Sequence, residues 1–114
     1  MEIKTITIPE IQKKAFKVHT SIRNMKRMFA YQLAVAKVSD ELDEDDVVGQ
    51  ISASLKGLDE TLVFIRAILN LDDDAYEKLL DLDSGRVQKI SEQITGHLLG
   101  LTDEQLEGAK DPKK

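Results

Sequence analysis

The stretch DVVGQISASLKGLDETLVFIRAILNL, residues 46–71, decides the fold. Its apolar residues Val48, Ile51, Leu55, Leu58, Leu62, Ile65 and Leu69 are separated by alternating steps of three and four. That is the a/d spacing of a helix packed along one seam. Up to Thr61 the other face is polar, with Gln50, Ser52, Ser54, Lys56, Asp59 and Glu60. Beyond Thr61, Val63, Phe64, Ala67 and Ile68 join the stripe, so the last third is apolar nearly all round. Such a segment is either enclosed by neighbouring helices or covered by a partner. The seam itself has two readings, the spine of a monomeric core or the interface of a self-associated pair, and the core reading is favoured.

The surrounding chain is short and acidic. Its 114 residues suffice for one modest core, and with no Trp and 4% aromatics that core is aliphatic. No cysteine is present, which removes disulfides and thiol chemistry and suits a reducing cytoplasm. The first ten residues lack the pattern of a signal peptide, and no apolar run is long enough for a membrane span, so we expect a soluble intracellular protein. The net charge of −5 is unevenly spread. Residues 1–38 hold eight Lys/Arg against Glu2 and Glu10, whereas the remainder holds eight against nineteen Asp/Glu. A surface that acidic repels nucleic acid over most of its extent.

Working outward, the β-branched run Ile3 to Ile8 reads as a short strand ended by Pro9, with Ala15, Phe16 and Val18 as the returning strand of a hairpin. Thr20 is the expected N-cap of a first helix whose inner stripe is Ile22, Met25, Phe29, Leu33 and Ala36, flanked by Met28 and Val35. Residues 39–46 form an acidic linker that supplies caps to the central helix. Asn70 and Gly100 suit left-handed C-terminal positions, each followed by a Leu that can fold back on its helix. These signals predict helices over 73–81 and 84–99, the latter with Val87, Ile90, Ile94 and Leu98 inward, and a short one from Asp103, with Thr102 and Gln105 as a capping box. The expectation is a mainly α domain over residues 1–110, four to five helices around a long central one, with a short N-terminal strand or hairpin. Residues 111–114 are expected to form a disordered tail.

Catalysis and metal binding find no footing. His19 and His97 are the only histidines, no paired-histidine motif exists, and the glycines are too scattered to cradle a phosphate. His97 reads as a structural histidine on an apolar stripe. No acidic segment has the Gly-bearing spacing of a calcium loop. Arg23, Lys26 and Arg27 cluster on the first helix, but the acidic junction helices oppose a DNA-reading role, and the basic face better complements the acidic half of this fold or of another copy. No enzyme, cofactor, nucleic-acid or membrane function is expected. The candidate protein-binding residues are Leu62, Phe64, Ile65, Ile68 and Leu69, at the apolar end of the seam, with Arg23 and Arg27.

In order, the chain presents IKTITI, the basic TSIRNMKRMFAYQL, an acidic linker, LDETLVFIRAILNLDDDAYEKLLDLD and GHLLGLTDEQLEGAK. Over residues 3–110 this arrangement resembles the tail assembly chaperones of long-tailed bacteriophages of Gram-positive bacteria. The resemblance implies a non-enzymatic protein of the infected host's cytoplasm, absent from the mature virion. It would keep the tape measure protein soluble and recruit tail tube subunits. Such families often make a longer form by ribosomal frameshifting, and Lys113 and Lys114 fit an A-rich slippery site. Two other classes stand beside it: a small acidic helical adaptor, dimeric through the seam, and an acidic mimic of nucleic acid. Mimicry would need carboxylates aligned along one face, whereas here they gather at helix starts.

Overall fold

The structure is a computed structural model and describes residues 3–40 and 45–100. Among them the order is β1 (Ile3–Ile6), β2 (Phe16–His19), α1 (Ile22–Asp40), α2 (Val47–Leu69), α3 (Asp73–Leu80) and α4 (Ser84–Leu98). The two strands form the antiparallel hairpin that the alternation predicts, with Ile3 opposite His19 and Ile6 opposite Phe16. Ile6, Phe16 and Val18 point into the core while Thr5 and Lys17 face outward. Of the expected linker 39–46, Ser39 and Asp40 belong to α1, and residues 41–44 lie outside the described residues. The predicted helix from Asp103 lies outside the described residues.

Three aspartates start three helices in the same way. Asp46, Asp72 and Asp83 each accept a hydrogen bond from the backbone N–H three residues on, at 2.9, 2.8 and 2.8 Å. Each such cap satisfies an otherwise orphaned donor and is worth about 1 kcal/mol. The acidity of the helix junctions thus has a local structural cause. At the start of α1 the cap is Ser21, whose Oγ accepts from Asn24 N at 3.2 Å, one residue later than the expected Thr20. Asn70 closes α2 in the left-handed conformation, φ 54°, and Leu71 then folds into the core. Gly100 takes the same region, φ 82°. Arg66 fixes the corner between α2 and α3, bonding Asp73 at 2.6 Å while its guanidinium lies 4.6 Å over the Tyr76 ring.

The core gathers Ile6, Ile8, Ile11, Phe16 and Val18 from the hairpin region with Met28 of α1. The last half of α2 adds Leu62, Phe64, Ile65, Ile68 and Leu69, and α3 adds Leu79. Val87, Ile90, Ile94 and Leu98 enter from α4, as its periodicity predicts. His97 is buried there too. One expectation fails on α1. Ile22, Phe29, Leu33 and Ala36 are exposed, and the inward face is instead Asn24 and Met28 with Tyr31 partly covered. The polar atoms on that face are satisfied, which is what lets it turn inward. Asn24 donates to His19 O at 2.8 Å and accepts from Arg27 at 2.9 Å. Tyr31 stacks on Phe64 with ring centroids 4.4 Å apart, and its hydroxyl lies 3.1 Å from Thr61 Oγ1.

These contacts generate two stability predictions. Leu62→Ala should lower the unfolding free energy by about 2–5 kcal/mol, as for other buried leucines. Leu58→Ala, on the same stripe but 44% exposed, should cost under about 1 kcal/mol. Urea denaturation of both variants measures the contrast. The second concerns Glu10, which accepts two hydrogen bonds from Arg86 at 2.6 and 3.2 Å. Those bonds hold its carboxyl below the ordinary value of 4.5. Stability from this pair is therefore present above the unfolded-state value and is lost as pH falls through the folded one. Wild type and Glu10→Gln should differ in urea midpoint at neutral pH and converge in acid.

Candidate protein-binding surface

The stripe on α2 passes from the interior to the surface without a break in its spacing. Relative exposure is 0% at Ile65 and 7% at Leu62, then 44% at Leu58, 60% at Leu55, 66% at Ile51 and 74% at Val48. The reason is length. A helix of 23 residues extends about 35 Å, and one of 15 residues about 22 Å. So α4, which packs against α2, is too short to cover the whole stripe. α1 meets α2 through Arg27 and Tyr31 at Ala67, Thr61 and Phe64, in the second half, and the leucine and isoleucine row of the first half faces solvent. α1 adds its own exposed apolar residues, Ile22, Phe29 and Leu33.

The sequence placed the binding surface at the other end of this helix. Leu62, Phe64, Ile65, Ile68 and Leu69 are all under 9% exposed and make the core instead. Their all-round apolar character is that of a helix enclosed by α1, α4 and β2. Phe64 still lines a shallow cleft of about 200 Å³ with Tyr31, Val63 and Ala67, and Ile68 lines a second of about 530 Å³. Arg23 and Arg27 border that second cleft. Arg27 is held by Asn24 and reaches Ala67 O at 3.5 Å, while Arg23 extends into solvent. The surface that sequence reasoning missed is Val48, Ile51, Leu55 and Leu58, recognised as seam but assigned to the interior. The available signal was the mismatch between the length of this helix and that of the helices able to cover it.

Four apolar side chains at helical spacing, 44–74% exposed, form an open apolar row on α2. No group of three or more His, Cys, Asp or Glu side chains among the described residues could hold a metal ion. No helix among them is long and apolar enough to cross a membrane. The chain matches the family model of phage tail assembly chaperone proteins over residues 1–113. It belongs to that family. No curated protein and no solved structure shows a significant match. The family gives the chain the general role of a phage tail assembly chaperone.

The exposed row is accessible to a small probe. Replacing Ile51 and Leu55 together by Ser should lower the fluorescence of an apolar dye bound to this chaperone. The urea midpoint should move by no more than the equivalent of about 1 kcal/mol. A large stability loss instead would place the two side chains in the interior.

Proposed function

We propose that this chaperone holds the tape measure protein of its phage soluble and brings tail tube subunits to it. It acts in the cytoplasm of a Gram-positive host and leaves before the tail is complete. The observation that carries the reading is the row Val48, Ile51, Leu55 and Leu58, apolar and open along one helix face. A tape measure protein is expected to be long and helical, with an apolar stripe that needs cover until tube subunits surround it. An amphipathic segment of that kind can lie along α2 and extend the helix packing that α4 ends.

Magnitudes favour a transient grip. Fully burying one such side chain is worth about 1.5–3 kcal/mol, so four that are already partly covered offer roughly 4–7 kcal/mol gross. Ordering costs come out of that, which leaves a weak single site. Weak sites repeated along a long client give lasting cover through many copies, each of which still leaves readily. The acidic exterior keeps such a complex soluble and disfavours nucleic acid as a partner.

Co-expression with the tape measure protein from the same genome tests the reading. The wild-type chain should bring the client into the soluble fraction, and Ile51→Asp or Leu55→Asp should lose that effect while circular dichroism shows a folded protein. Substitutions at Phe64 or Ile68 would not serve, because a charge there enters the core and unfolds the chain. A tape measure protein that stays insoluble beside the wild type, and beside any frameshifted form, would leave an acidic helical adaptor as the reading.

A further inference from the structure

The charge asymmetry of the sequence becomes a spatial one in the fold. α1 carries Arg23, Lys26, Arg27 and Lys37 before its single acid, Asp40. Arg23 and Arg27 line the 530 Å³ cleft together with His19, Ser21, Asn24 and Asn70, and no carboxylate lines it. Arg27 is preorganised there by Asn24, itself 5% exposed and anchored on His19 O. Neither Arg23 nor Lys26 makes an ion pair among the described residues. In a chain of net charge −5, cations left without acids are the less expected arrangement.

The matching acids lie close by. Residues 72–83 hold Asp72, Asp73, Asp74, Glu77, Asp81 and Asp83 against Lys78 alone. Asp72 and Asp83 cap helices and Asp73 binds Arg66, whereas Asp74 and Glu77 are exposed with no ion pair among the described residues. Asn70 borders both the basic cleft and a neighbouring hollow lined by Asp72, Asp74 and Lys78. The basic cleft and the hollow that holds two of these acids therefore adjoin at Asn70. α1 and the acidic stretch each carry an exposed apolar residue, Ile22 at 74% and Leu80 at 45%.

From this arrangement we infer that the chain forms a two-fold dimer, in which the Arg23 and Lys26 face of each protomer receives Asp74 and Glu77 of the other. Two adjacent patches of opposite charge are self-complementary under a two-fold rotation, and such an interface closes at two copies. Ile22 and Leu80 supply the apolar contacts inside the charged rim. The cleft takes protein carboxylates and not a nucleic-acid phosphate, because the acids beside it repel a polyanion. The inference is independent of the client row on α2, which this dimer leaves uncovered.

Sedimentation equilibrium of the purified full chain tests it. A dimer is expected at about 0.05 M salt and a monomer at about 0.5 M, where screening shortens the reach of the charges. Arg23→Glu with Lys26→Glu should weaken the dimer at least about tenfold, and so should Asp74→Lys with Glu77→Lys. Mixing the two folded variants should restore a dimer, since every contact is then again between opposite charges. A monomeric wild type at low salt would overturn the inference, as would a dimer indifferent to both reversals or an open series of larger species. A dimer lost with Leu55→Asp but kept through both reversals would move the interface to α2.

Discussion

Everything in this structure depends on enclosing the second half of α2. Leu62, Ile65 and Leu69 continue a stripe that solvent would disfavour, and the hairpin, α1 and α4 are arranged to cover it. The corner at Asn70 serves the same end. A left-handed residue there turns the chain sharply enough for Leu71 to enter the core, and Arg66 ties the departing α3 back to the helix it leaves. Dispersion and the release of water from these aliphatic groups carry the fold, since only Phe16 and Phe64 bring buried aromatic rings.

The first half of α2 obeys the same periodicity under the opposite condition. Its glycines and β-branched residues, Gly49, Gly57, Val47, Val48 and Ile51, are weak helix formers. An added methyl at Gly57 would meet no atom within 4 Å, so no neighbour demands the glycine. Helix here is sustained by the Asp46 cap and continuity with the enclosed half more than by local preference. Segments of low local stability are those best able to adjust to a bound partner, which fits the role of the phage tail assembly chaperone family.

The sequence was most legible where one residue decides a local geometry. Asp72 and Asp83 mark helix starts, Asn70 marks a helix end, and the alternation around Ile6 and Val18 marks the hairpin. It was least legible where two faces compete. On α1 the row Ile22, Met25, Phe29, Leu33 and Ala36 is richer in apolar residues than the row that turns inward, Asn24, Met28 and Tyr31. The choice rests on partners supplied from elsewhere: His19 O for the amide of Asn24, Thr61 and Phe64 for Tyr31. Periodicity carries no record of those partners, nor of where the cover over α2 stops. That is why the surface row was assigned to the interior and interior residues to the surface.

Because one uninterrupted helix carries both the enclosed and the open parts of the stripe, their relative orientation is set by residue count alone. One residue inserted between Leu58 and Leu62 would leave each part intact, yet rotate the outer row by about 100° around the helix axis relative to the core. The exposed side chains would still be present, apolar and correctly spaced among themselves, but aimed at a different neighbour. This chain is therefore far more tolerant of exchange among Val, Ile and Leu in its outer row than of any change in the length that joins that row to the core.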